Sequence, residues 1–134
     1  MDNIDIAALL RGALRESGCD ESLLNNFDGH STIELECADM PSILISKNNS
    51  DIWLWSKIYE ENSLVVQQKA ADLLSLLMEE CAFSTTEQLQ LTMFEGHLVL
   101  KGIVKPDYLH DSKYFATALE TFFERLNQFL DVLR

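Results

Sequence analysis

A chain of 134 residues is long enough for one hydrophobic core and short for two, and its 47% apolar content argues for a folded domain rather than disorder. Its 22 acidic residues against 10 basic give a formal charge of −12, and the lysines and arginines never form a run. Such a surface repels phosphate backbones and anionic lipid, which excludes nucleic acid and membranes as natural partners.

Asp2 or Asn3 can cap a first helix that runs to about Ser17 and stops at Gly18. At 100° per residue, Ile6, Ala7, Leu10, Ala13 and Leu14 share one face, while Arg11, Arg15 and Glu16 lie off it. Early acids and the lack of a long apolar block set this start apart from a signal peptide, and no later stretch approaches the roughly 18 apolar residues of a membrane span. Asn25, Asn26, Asp28 and Gly29 mark a turn-rich stretch. Ile33, Leu35 and Cys37 then alternate with Thr32, Glu34 and Glu36, the period of a strand with one face covered. Met40-Pro41 is predicted to turn the chain into a second strand, where Ile43 and Ile45 take the core side and Leu44 the other. Asn48-Asn49-Ser50 reads as a hairpin loop. The third run, Ile52-Trp53-Leu54-Trp55, is apolar on both faces, so either the tryptophans or Ile52 and Leu54 must point outward.

Leu64 to Cys81 is predicted as a second helix whose apolar positions span about 160°, where docking on one sheet needs little more than about 100°. The surplus calls for a second packing partner. A self-complementary face about a two-fold axis would supply it, so Val66, Ala70, Leu73, Leu74 and Leu77 are the expected interface of a homodimer. Leu89, Leu91 and Met93 mark a fourth strand, Glu95-Gly96 a turn, and His97 to about Val104 a fifth strand. Pro106 and Asp107 begin a last helix, with Phe115, Leu119, Phe122, Leu126, Phe129, Leu130 and Leu133 in one stripe opposite Lys113, Thr117, Glu120, Glu124, Gln128 and Asp131. The order α-β-β-β-α-β-β-α in one domain, residues 1–134, is that of an α+β fold: an antiparallel sheet packed with helices.

Catalytic patterns are missing. None of the five glycines forms a phosphate-binding loop, and no histidine lies at helical spacing from another. Asp28-Gly29-His30-Ser31 holds an acid, an imidazole and a hydroxyl, but a triad needs its members to converge from separate elements, and a turn before a strand explains the run. Asp107, His110 and Asp111 could hold a metal, although a helix N-terminus accounts for the same acids. Cys19, Cys37 and Cys81 are odd in number and far apart, as suits free thiols in a reducing cytoplasm. No catalytic residue, cofactor or metal is expected, and the chain is not expected to be an enzyme. Surplus apolar surface on a soluble acidic domain points instead to binding other proteins.

Six segments in order carry a resemblance: Ser17-Gly18-Cys19, Asp28-Gly29-His30-Ser31-Thr32-Ile33, Met40-Pro41-Ser42-Ile43, Trp53-Leu54-Trp55, Val65-Val66-Gln67-Gln68, and Lys105-Pro106-Asp107-Tyr108-Leu109-His110-Asp111. With these the whole chain resembles the customised chaperones of bacterial type III secretion systems, in the class IB multi-effector subgroup of the invasion protein B type. Gly29 stands where that pattern carries serine, and Ser84 to Gly96 is variable. The resemblance implies a cytoplasmic homodimer that binds the N-terminal chaperone-binding region of secreted effectors, holds it extended through strand addition and apolar anchors, and presents it to the export apparatus and its ATPase. Ile6, Leu10, Ala13, Leu14, Leu44, Trp53 and Trp55 are the expected effector contacts. Core packing of the first helix is the alternative for its stripe, and a dimeric regulatory or structural adaptor for a folded partner is the alternative function.

Overall fold

The structure, a computed structural model, describes residues 5–16, 32–60 and 63–134. Asp2, Asn3, Ser17, Gly18, Cys19 and the turn residues between 25 and 31 lie outside them. The first helix, α1 (Ile6–Glu16), opens on Asp5, whose Oδ1 accepts the Ala8 N–H at 3.1 Å and so satisfies a donor with no partner inside the helix. Its buried face is the expected stripe of Ile6, Ala7, Leu10, Ala13 and Leu14. That face packs along the last helix, α4 (Ser112–Leu133). Gly12 sits where the two meet: a Cβ there would lie 2.0 Å from Ser112 Oγ and 2.6 Å from Ser112 Cβ. Only glycine allows so close an approach.

Five strands, β1 (Ile33–Cys37), β2 (Met40–Asn48), β3 (Asp51–Glu60), β4 (Gln90–Phe94) and β5 (His97–Ile103), form one antiparallel sheet in the order β1-β2-β3-β5-β4. Three tight turns set its register. Cys37 pairs with Met40 across Ala38-Asp39, with Asp39 at φ 58, so the first turn precedes the expected Met40-Pro41. Aspartate tolerates the left-handed region, and Pro41 sits near the start of its strand, where a missing N–H costs least. Asn49, also at φ 58, turns β2 into β3. Glu95 and Gly96, at φ 49 and 78, join β4 to β5 with the two positive dihedrals a type I′ hairpin demands.

The predicted second helix is divided. α2 (Ser63–Gln68) and α3 (Ala70–Leu77) meet at Lys69, whose φ of −101 and ψ of 5 kink the segment, while Lys69 N–H still bonds Val65 O and Leu73 N–H bonds Lys69 O across the kink. α3 ends before Cys81, because Glu79 and Glu80 would sit at the negative end of the helix dipole. The Cys81 N–H turns instead to Glu87 O at 2.7 Å, and the Arg125 guanidinium donates to Glu80 O. The final helix also starts later than expected. Pro106–Tyr108 is a single 3-10 turn, and α4 begins once Asp111 caps it, accepting from Lys113 N at 2.8 Å and Tyr114 N at 3.0 Å.

The core forms on one face only. Ile33, Leu35, Ile43, Ile45, Ile52, Leu54, Leu98 and Leu100 from the strands meet Leu10, Leu14, Phe115, Phe122, Leu126 and Phe129 from α1 and α4, and Leu73 joins α3 to the same cluster. Ser56 is buried among them, and its hydroxyl is satisfied by donating to Ser42 O at 2.9 Å. Among the described residues no helix is long and apolar enough to cross a membrane.

Candidate interaction surfaces

Strand alternation gives the sheet a second face, and no described helix packs on it. The hydrogen-bonded row Glu34–Leu44–Trp55–Lys101–Gln90 crosses all five strands on this outer side. Ile52 and Leu54 are fully buried in the core, so Trp53 and Trp55 are the pair that points outward. They line a pocket of about 330 Å³ with Ser46, Asn48, Thr92, Met93, Phe94, Val99 and Lys101. Its geometry is tied down from several sides. Trp55 Nε1 donates to Ser46 Oγ at 2.9 Å, and the Trp55 ring meets Phe94 edge to face at 6.2 Å. Lys101 Nζ stands 4.9 Å from the centroid of the Trp53 ring, a cation–π distance. Val99, although on the outer face, is only 2% exposed at the pocket's base.

On the helical side a larger groove, about 630 Å³, opens where α1 and α4 pass the edge strand β1. Ala13 and Leu14 of α1, Leu35 and Cys37 of β1, Ile43 of β2, and Leu119 and Phe123 of α4 make an apolar floor; Ala38 closes one end, and Glu36, Glu120 and Glu124 stand around it. Phe122 and Phe123 are neighbours on one helix, about 100° apart, so they cannot share a face. Phe122 is fully buried, which leaves Phe123 40% exposed in the groove. Burial pushes the Cys37 thiol up, against a backbone hydrogen bond from Ile43 that lowers it, so this part of the floor stays uncharged at neutral pH. Among the described residues β1 is an edge strand, and its free side beside the groove is a template for a further strand.

A third apolar surface runs along α2 and α3. The wide arc divides in two here: Leu73 is buried in the chain's own core, and Val66 and Leu77 pack partly against it, whereas Ala70 and Leu74 face out. Leu64, Leu74 and Met78 are 61%, 57% and 68% exposed. Leu64 and Met78 thus extend the expected interface set, and Leu73 is committed elsewhere.

Of the residues expected to contact an effector, the structure brings Ala13 and Leu14 to the groove, Trp53 and Trp55 to the outer pocket, and Leu44 to the row beside that pocket. Ile6 and Leu10 are buried with the core, on the face of α1 that packs along α4. Asp111 is taken up in capping α4, His110 is exposed, and among the described residues no three His, Cys, Asp or Glu side chains could together hold a metal. Periodicity missed Phe94, Lys101 and Phe123. The signal for Phe123 was present, since two adjacent phenylalanines on one helix force one off the core stripe.

The chain matches the family model of the Invasion protein B family over residues 18–95. It is 43% identical over 129 residues to the surface presentation of antigens protein SpaK of Salmonella typhimurium, covering 96% of each chain, and equally to its Salmonella typhi counterpart. In fold it is similar to chains of three solved complexes. The heterodimeric ExoU–SpcU complex from the type III secretion system of Pseudomonas aeruginosa gives a TM-score of 0.57 at 20% identity, covering 96% of this chain and 93% of that one. The HopA1–SchA chaperone–effector complex gives 0.64 at 15%, covering 96% and 94%. The ExsC–ExsE complex gives 0.67 at 13%, covering 99% and 97%. An α+β sheet-and-helix fold shared along almost the whole length, with this level of identity to SpaK, makes the chain a member of the Invasion protein B family.

Proposed function

We propose that this protein is a cytoplasmic chaperone of a type III secretion system, which binds the N-terminal segment of effector proteins and keeps it extended for export. The observation that carries this reading is the apolar groove beside the edge of β1, which pairs with no further strand among the described residues. An extended peptide gains main-chain hydrogen bonds by adding to such an edge and specificity by seating apolar side chains in the adjoining groove. Glu36, Glu120 and Glu124 favour segments whose apolar residues are flanked by Lys or Arg. Support also comes from the fold it shares with complexes described as chaperone–effector and type III secretion assemblies. Binding of this kind calls for no catalytic group and no cofactor.

The working unit is a homodimer joined through α2 and α3, where Ala70, Leu74 and Met78 offer an apolar face that no described part of the same chain covers. Delivery to the secretion ATPase would follow from the assembled complex. The test is co-expression with the N-terminal regions of effectors from the same secretion system, followed by purification on the chaperone. A stable complex containing two chaperone copies per effector segment is expected. A chaperone recovered alone from every such co-expression sinks the reading, and a monomer at micromolar concentration sinks the dimer.

A further inference from the structure

Lys101 is out of character for its chain. Acids outnumber bases 22 to 10 overall, yet the wall of the outer pocket contains one cation and no carboxylate. Glu34 shares the Lys101 row but stands at its far end, past Leu44 and Trp55. Among the described residues Lys101 pairs with no carboxylate; its ammonium rests over the Trp53 ring, which attracts the charge without neutralising it. Lys57, paired with Val99 across β3 and β5, adds the same sign beside the pocket's base. Around these cations the surface is aromatic and rigid, because Trp55 is held by Ser46 and by Phe94. A fixed aromatic wall with one unneutralised donor is the anatomy of a peptide anchor site, with the charge setting which peptide is accepted.

We propose that the outer pocket is a docking site for an extended acidic segment of a partner protein. An aliphatic or aromatic side chain of that segment seats among Trp53, Trp55 and Phe94, and an Asp or Glu next to it pairs with Lys101. The preference is opposite to that of the groove on the helical side, where carboxylates surround the apolar floor. Trp53 and Trp55 are among the expected effector contacts, and the acidic preference is what the pocket adds to that expectation; it does not depend on what fills the groove.

The chain has two tryptophans, and both line this pocket, so intrinsic emission reports on it directly. The probe is a short capped peptide of alternating Glu and Leu, compared with the same peptide carrying Lys for Glu. The Glu peptide should shift the emission saturably, and the Lys peptide should bind roughly fivefold more weakly or less well still, as one half-exposed ion pair allows. Lys101→Gln should erase this preference and Lys101→Glu should reverse it, with circular dichroism and thermal melting unchanged. Thr92→Lys, which places a second cation on the wall without touching Lys101, should tighten the Glu peptide and guards against a Lys101 variant that fails to fold. An equal response to both peptides, or none, overturns the proposal. So does emission that shifts on dilution of the protein alone, since that assigns the pocket to a second copy of the chain.

Discussion

The groove beside β1 and the pocket over β3 and β5 are built on the same five strands, yet one is surrounded by Glu36, Glu120 and Glu124 and the other is guarded by Lys101. Their difference comes from what covers each face. On the helical side α1 and α4 supply the walls, and the solvent-facing stripe of α4 brings its glutamates to the groove. On the other side no described helix shields the strands, so Trp53, Trp55 and Phe94 cover the backbone themselves and leave a hollow between them. A single sheet thereby offers two binding chemistries, because alternate residues of one strand answer to different neighbours.

The most severe way to break this comparison is to unfold the side that both depend on. Leu10→Asp would bury a carboxylate without a partner under α4, at a cost of at least about 3 kcal/mol against a typical total of roughly 5–15 kcal/mol. Denaturant titration should show a strongly lowered midpoint, and both surfaces should fail together. Gly12→Ala is gentler. Its Cβ must push α1 off Ser112, which outweighs the better helix propensity of alanine and leaves a net loss of about 1–2 kcal/mol. Effector affinity should fall while the tryptophan emission of the far face stays unchanged. A variant that melts no lower than the parent would show that α1 can yield freely.

Phe123→Asp separates the two surfaces without harming the fold. Phe123 is largely outside the core, so the variant should melt like the parent but hold effector segments at least about tenfold more weakly, roughly 1.4 kcal/mol. Unaltered affinity by calorimetry would move the effector away from this groove. The smallest effect is expected with pH. Burial raises the thiols of Cys37 and Cys81 above the ordinary value of 9.0, so the folded state holds these protons more tightly than the unfolded chain. The unfolded state then binds fewer protons once pH passes the ordinary value, and stability should decline from there upward. Replacing both cysteines by alanine should flatten that decline in melts taken at alkaline pH.

The sheet and the last helix were legible because their patterns are strict. Alternation in Ile33–Cys37 and a seven-residue stripe in α4 each admit one solution, and every stripe residue is buried or partly buried in the structure. The kink at Lys69 was hidden, since no glycine or proline marks it, and the early end of α3, although Glu79 and Glu80 signal it, is completed by Arg125 on Glu80, a tertiary neighbour. The site was legible in part. Two apolar faces on Ile52–Trp55 announced a second surface, but the choice between them needed the helices, which sit over Ile52 and Leu54. The helix-one stripe looked equally fit for a ligand or for α4, and the structure divides it: Ile6 and Leu10 go to the core, while Ala13 and Leu14 also reach the groove.

Two edge strands and a sheet face that no described helix covers would let copies of most proteins stack into polymers, edge against edge. Here β1, the edge beside the groove, carries Glu34 and Glu36 facing outward at alternate positions. A second β1 approaching it would bring like charges together along the whole strand, whereas a segment flanked by Lys or Arg would not. The same two glutamates thus act as gatekeepers for colloidal stability. They keep the edge open to a foreign strand and closed to its own kind.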